Sequence, residues 1–102
     1  MSRDTLQPVF YRTPNGRIAS EKVPREVVAR ASRRWDDAMM RGGFDKAVID
    51  TRTRINKITE ASKLRGILVV LSEKEMDYAS HKRQAAEIEK LYTLAEARLS
   101  RL

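Results

Sequence analysis

Lys63-Leu64-Arg65-Gly66-Ile67-Leu68-Val69-Val70-Leu71-Ser72-Glu73-Lys74-Glu75-Met76 is the stretch on which the fold turns. On periodicity alone, the apolar run from Ile67 to Leu71 fits a buried strand and a buried helix equally well. Its flanks decide. Gly66 stands where a left-handed helix C-cap is expected, just after Lys63 and Arg65, whose charges complement the negative end of a helix. Ser72 and Glu75 have the spacing of a capping box, and Leu71 and Met76 that of a hydrophobic staple. A stop before the run and a start after it predict a short buried strand over 67–71 between two helices.

Downstream, Tyr78, His81, Ala85, Ile88, Tyr92, Ala95, Leu99 and Leu102 recur at spacings of three and four, and Leu91 and Leu94 widen the stripe. They predict one helix over 73–101, about 44 Å long at 1.5 Å per residue. A compact domain of about 100 residues has a diameter of roughly 34 Å. Such a helix overhangs its own domain, with apolar residues on the projecting part. The expectation is a homo-oligomer joined through Ile88, Leu91, Tyr92, Ala95, Leu99 and Leu102.

Upstream, the stripe Phe44, Val48, Thr51, Ile55, Ile58 and Ser62 predicts a helix over 44–65. Val27, Val28, Ala31, Trp35, Ala38 and Met39 predict another over 24–41, opened by Pro24 and closed by Gly42-Gly43. Val9-Phe10-Tyr11-Arg12, Thr13-Pro14-Asn15-Gly16 and Arg17-Ile18-Ala19-Ser20 read as strand, turn and return strand, a β-hairpin over 8–20. Residues 1–7 are polar and expected to fray. The fold class is α+β, mainly helical, in a single domain over 1–102: an N-terminal β-hairpin, two helices, a short buried strand and a long C-terminal helix.

Composition narrows the function classes. With 41% hydrophobic residues the chain has material for a core, and with no cysteine it has neither disulfides, thiolate chemistry nor the common zinc frameworks. The longest apolar run is far too short for a membrane span, and no signal-peptide layout opens the chain, so no membrane association and a cytoplasmic location are expected. The net charge of +7 is unevenly spread: eight Lys/Arg against three Asp/Glu in residues 1–34, seven against five in 35–71, six against six in 72–102. Arginine outnumbers lysine fourteen to seven, which suits bidentate contact with phosphate or carboxylate. An anionic partner facing the first two-thirds of the chain follows.

Several constellations carry chemistry on paper. Glu73, Asp77 and His81 would share one helical face, as a metal site or as a carboxylate-oriented base, or simply as a histidine beside a solvated acidic strip. Asp36-Asp37 and the scattered acids could hold Mg²⁺ or serve as surface ion-pair partners: Asp37 and Asp50 stand four residues before Arg41 and Arg54, the favourable order for helix pairs. No metal, cofactor or catalytic residue is assigned. Arg30, Arg33, Arg34 and Arg41 lie away from Trp35 on the first helix, a phosphate-contacting strip or a solvated face. Arg52, Asn56 and Lys63, flanked by Arg54, Lys57 and Arg65, do the same on the second. The Gly42-Gly43 join between them superficially resembles helix-turn-helix. Arg12 and Arg17 flank the hairpin aromatics Phe10 and Tyr11, of which adjacent residues point to opposite faces.

These features make a non-enzymatic nucleic-acid-binding protein the first expectation, with DNA or RNA contacted through the first two helices. An adaptor or inhibitor meeting an acidic protein surface is the rival, and a virion or assembly component a third possibility.

Overall fold

The computed structural model describes residues 6–12 and 16–102 and runs β1 (Leu6–Arg12), β2 (Ile18–Pro24), α1 (Arg25–Lys57), α2 (Ala61–Asp77) and α3 (Lys82–Leu99). A two-stranded antiparallel hairpin precedes three helices, a mainly helical α+β fold. The hairpin is longer at its open end than the sequence suggested. Leu6 and Gln7 pair with Pro24 and Val23 instead of fraying, and the return strand continues past Ser20. Most of the expected turn, Thr13 to Asn15, lies outside the described residues; Gly16 has the positive φ of 86° that suits glycine there. Alternation along the strands turns Val9, Tyr11 and Val23 into the core and leaves Leu6, Phe10 and Ile18 outside. Pro24 is still extended, so the helix starts one residue later, at Arg25.

A straight helix of the 33 residues of α1 would span about 50 Å. The molecule's longest dimension is 40 Å. The difference is resolved at Gly43, where φ 79° and ψ −164° break the helix. That region of backbone space is essentially closed to residues with a Cβ. A Cβ placed there would meet nothing within 4 Å, so the demand for glycine is one of conformation and not of space. The chain reverses, and the two halves of α1 form an antiparallel helical hairpin. Ala31, Trp35 and Ala38 from one half and Ala47, Val48, Thr51 and Ile55 from the other are buried between them and their neighbours. Side-by-side packing of this kind is an αα-hairpin and not the crossed pair of a helix-turn-helix.

The expected strand over 67–71 is instead the middle of α2, and the expected helix over 44–65 ends at Lys57. Gly66 does not stop a helix; it lets two helices touch. A Cβ on it would stand 2.9 Å from Val27 Cγ1 and 3.4 Å from the Val27 carbonyl oxygen. Helix α2 packs against α1, α3 and both strands. Its central stretch over 66–71 is therefore apolar all round, with Leu64, Ile67, Leu68, Val70 and Leu71 buried, and that stretch shows no amphipathic period to read. The Ser72/Glu75 pattern falls inside this helix and starts nothing.

The C-terminal part of the chain also departs from the expected single helix. No single helix covers 73–101: α2 ends at Asp77, and the chain turns through Tyr78 to His81 before α3 begins. Tyr78 docks edge-on against Phe44 at 5.1 Å between ring centroids, and Phe44 against Trp35 at 6.0 Å. The turn is thus set by packing on the apex of the α1 hairpin. At 18 residues α3 is about 27 Å long and fits within the molecule. Ile88, Leu91, Tyr92 and Ala95 are at most 1% exposed within the single chain. They are core and offer no surface to a second copy; Leu99 is half-buried and Leu102 exposed. The overhang from which an oligomer was expected does not exist.

Gly43→Ala should lower the stability to urea by about 1–3 kcal/mol, the cost of holding a Cβ-bearing residue in this region. Since the position is open, replacement by the larger Ser should cost no more than Ala; a much larger loss for Ser would mean that space and not backbone conformation sets the requirement.

Candidate anion-binding site

The reversal at Gly43 lays Arg30 and Arg34 of the first half of α1 against Asp50 and Arg54 of the second. Arg34 takes Asp50 with two donors, Nη2 at 3.1 Å and Nε at 3.4 Å. That hydrogen-bonded pair, with Asp37 nearby, raises the Arg34 pKa despite some burial. Asp50 was expected to pair with Arg54 one turn on, and this is corrected: a carboxylate four residues away along one helix loses to a guanidinium brought alongside by the fold. Arg54 is left half-buried, and among the described residues its side chain has no hydrogen bond or ion pair. Burial lowers its pKa, and the neighbouring Arg34 and Arg30 lower it further against the partial relief of Asp50.

Arg54 lines a cavity of about 300 Å³, together with Arg30, Lys57 and Lys63. Val27, Ala31 and Ile58 form its apolar part, and Thr59 and Glu60 the approach to α2. Three segments meet here: the first half of α1, its last turns, and the start of α2. The single carboxylate among the lining residues, Glu60, pairs with Lys63 at 3.1 Å. The Ile58 carbonyl, at the C-terminal end of α1, accepts two hydrogen bonds from Arg98, at 3.0 and 3.2 Å. A cation therefore covers the helix end that would otherwise disfavour an anion.

The structure divides the basic residues that the sequence grouped. Arg30, Arg54, Lys57 and Lys63 come together in the cavity. Arg34 and Arg41 line an adjoining cleft with Lys46, Asp37 and Asp50, where Arg41 pairs with Asp37 at 3.2 Å as expected. Arg33 is bound to Glu26 at 3.1 Å, and Arg30 reaches the same carboxylate more loosely at 3.7 Å. The like-charged neighbours Arg30 and Arg34 are thus each given an acid by the protein itself. Arg52 points to α3, where Glu87 lies at 3.9 Å, and Arg65 donates to the Tyr11 hydroxyl at 3.0 Å, tying α2 to the hairpin. Asn56 is exposed, as is Arg17; the Arg12 side chain lies outside the described residues.

Glu73, Asp77 and His81 do not share a helical face, because α2 ends between the second and the third. Asp77 pairs with Lys74, and His81 is the exposed residue preceding α3, with Ser80 Oγ 3.4 Å from its Nδ1. Among the described residues no three His, Cys, Asp or Glu side chains gather to hold a metal, and no helix is long and apolar enough to cross a membrane.

Lys46 and the Val27–Ala31–Ile58 wall were missed at the level of sequence. A signal for the wall was present: reflecting the chain through Gly42-Gly43 brings position 27 to about position 58 and 31 to about 54, once the glycines are read as a reversal. No family model matches the chain, and neither a curated protein nor a solved structure is found to resemble it.

Asp50→Asn should show how the Arg34 pair and the Arg54 site are coupled. Arg34 is half exposed, so the direct loss is expected to be under about 1 kcal/mol. Arg34 and Arg54 then face each other without the carboxylate they share, and the loss should be largest at low ionic strength and shrink as salt screens them. A deficit independent of salt would show that Asp50 acts through packing alone.

Proposed function

We propose that this protein is a non-enzymatic nucleic-acid-binding protein that holds the phosphate backbone of DNA or RNA on the face formed by the α1 hairpin and the start of α2. The observation that carries the reading is the convergence of Arg30, Arg54, Lys57 and Lys63 on one cavity, with Arg54 half-buried and unpaired among the described residues. Glu26 and Glu60 take up Arg30 and Lys63, but among the described residues Arg54 and Lys57 have no ion pair, and their counter-charge is left to a ligand. Arginine-rich contact with phosphate positions a ligand without reading its sequence, so the binding is expected to be general.

One observation favours a protein partner as the second reading. Leu6, Phe10 and Ile18 share the outer face of the hairpin and are 53%, 60% and 67% exposed. Exposed apolar residues on one sheet face are what an adaptor would use against another protein.

Affinity for a generic duplex or single strand, followed by fluorescence anisotropy, separates the two. With about four phosphate contacts, log K against log salt should fall with a slope of roughly −3 to −4. Replacing Lys57 and Lys63 together by Ala should flatten the slope by roughly one to two, while Phe10→Ser should leave it unchanged. Absence of binding to every nucleic acid tried at low salt would sink the nucleic-acid reading.

A further inference from the structure

We infer that the cavity between α1 and the start of α2 is a discrete site for a single phosphate group, gripped by the guanidinium of Arg54 and closed by Arg30, Lys57 and Lys63. The inference rests on the nucleic-acid reading for the carrier of that phosphate, and on the cavity itself for the chemistry. A solvated basic face would present its cations outward, each with its own water shell. Here one guanidinium is drawn half inside, beside an apolar wall of Val27, Ala31 and Ile58, and its nearest acid is engaged elsewhere. Removing a guanidinium from water without pairing it is unfavourable, as the downward shift of its pKa records. A phosphate oxygen pair matches the planar fork of Arg54, and the flexible ammonium group of Lys57 supplies further charge from the rim, with Lys63 beside it shared with Glu60. The cavity, about 300 Å³, is at the lower end of the range for small-ligand pockets, and fits one phosphorylated unit of a strand, whose neighbouring phosphates would lie on the basic face outside it. Glu60 is the one lining group of the wrong sign, and its pairing with Lys63 at 3.1 Å holds both in check.

Two features distinguish this site from a structural arginine. Arg54 should destabilise the empty protein, and it should be the residue on which phosphate affinity depends most. Thermal unfolding of the full chain with inorganic phosphate, against chloride at matched ionic strength, gives the first readout; titration of the arginine Nε–Hε resonances gives the second. Phosphate should stabilise the wild type more than chloride does and should move the Arg54 resonance. Arg54→Met should melt higher than the wild type without phosphate, and bind phosphate about 10- to 100-fold more weakly, the loss of a hydrogen bond to a charged group. Arg54→Lys should recover part of that affinity, and Glu60→Gln should exceed the wild type. Lys57→Met provides the same comparison at an exposed position if Arg54→Met fails to fold. Arg83→Met, outside the cavity, should change nothing.

Phosphate that acts no differently from chloride, or that binds Arg54→Met as tightly as the wild type, overturns the inference. Should oligonucleotides bind equally well to the wild type and Arg54→Met, the inference fails and the nucleic-acid reading stands. Should phosphate bind through Arg54 while no oligonucleotide does, the site stands with a free phosphorylated molecule as its ligand, and the nucleic-acid reading fails.

Discussion

The reversal of the chain at Gly43 is the constraint on which the rest of the structure depends. One residue with φ 79° and ψ −164° converts a helix too long for the molecule into two packed halves. That packing makes the Trp35, Val48 and Ile55 layer, and it presents Phe44 at the apex as a seat for Tyr78. The seat fixes where α2 turns into α3. The same reversal puts Arg34 beside Asp50, and so determines which guanidinium keeps a carboxylate and which does not. Fold and candidate site follow from a single backbone feature.

Local chemistry and tertiary packing disagree at two places in this chain, and packing prevails at both. Ile58 is extended and ends the helix, with no glycine or proline to require it; its carbonyl is held by Arg98 from forty residues away. The turn from Tyr78 to His81 likewise contains neither breaker, and its aromatic residues pack on one another and on Phe44. Conversely Gly66 and the Ser72/Glu75 pair carry strong boundary signals yet lie inside α2. Propensities and caps are worth about 1 kcal/mol each. Burying the apolar surround of α2 is worth about 1.5–3 kcal/mol for every large side chain, and this decides the outcome.

Legibility in the sequence follows from the same contrast. The hairpin, both stripes of α1 and the burial of Trp35 were readable, because each has one wet face and one dry face and so a period; that Phe10 and Tyr11 face opposite ways was readable too, though not which of them is buried. Helix α2 was not, because its middle, over 66–71, packs on α1, α3 and both strands and has no period to offer. Misreading it as a strand forced the C-terminal helix to be too long, and from that length came the expected oligomer interface of Ile88, Leu91, Tyr92 and Ala95. For the site, the residue types were legible and their grouping was not. Arg54 looked satisfied by Asp50 along the helix, and only the geometry across the hairpin reveals that Asp50 belongs to Arg34. Arg52 and Arg65, equally basic on paper, serve α3 and the hairpin.

On the proposed reading, charge on this protein works where the fold concentrates it and not where the sequence merely supplies it. Mapping of backbone and arginine side-chain resonances during titration with a short single-stranded oligonucleotide tests that claim most directly. Shifts centred on Arg30, Arg54, Lys57, Thr59 and Lys63, with Arg52, Arg65 and Arg83 unmoved, are the predicted result. Shifts spread evenly over the basic residues, or centred on the Phe10 face of the hairpin, would contradict it.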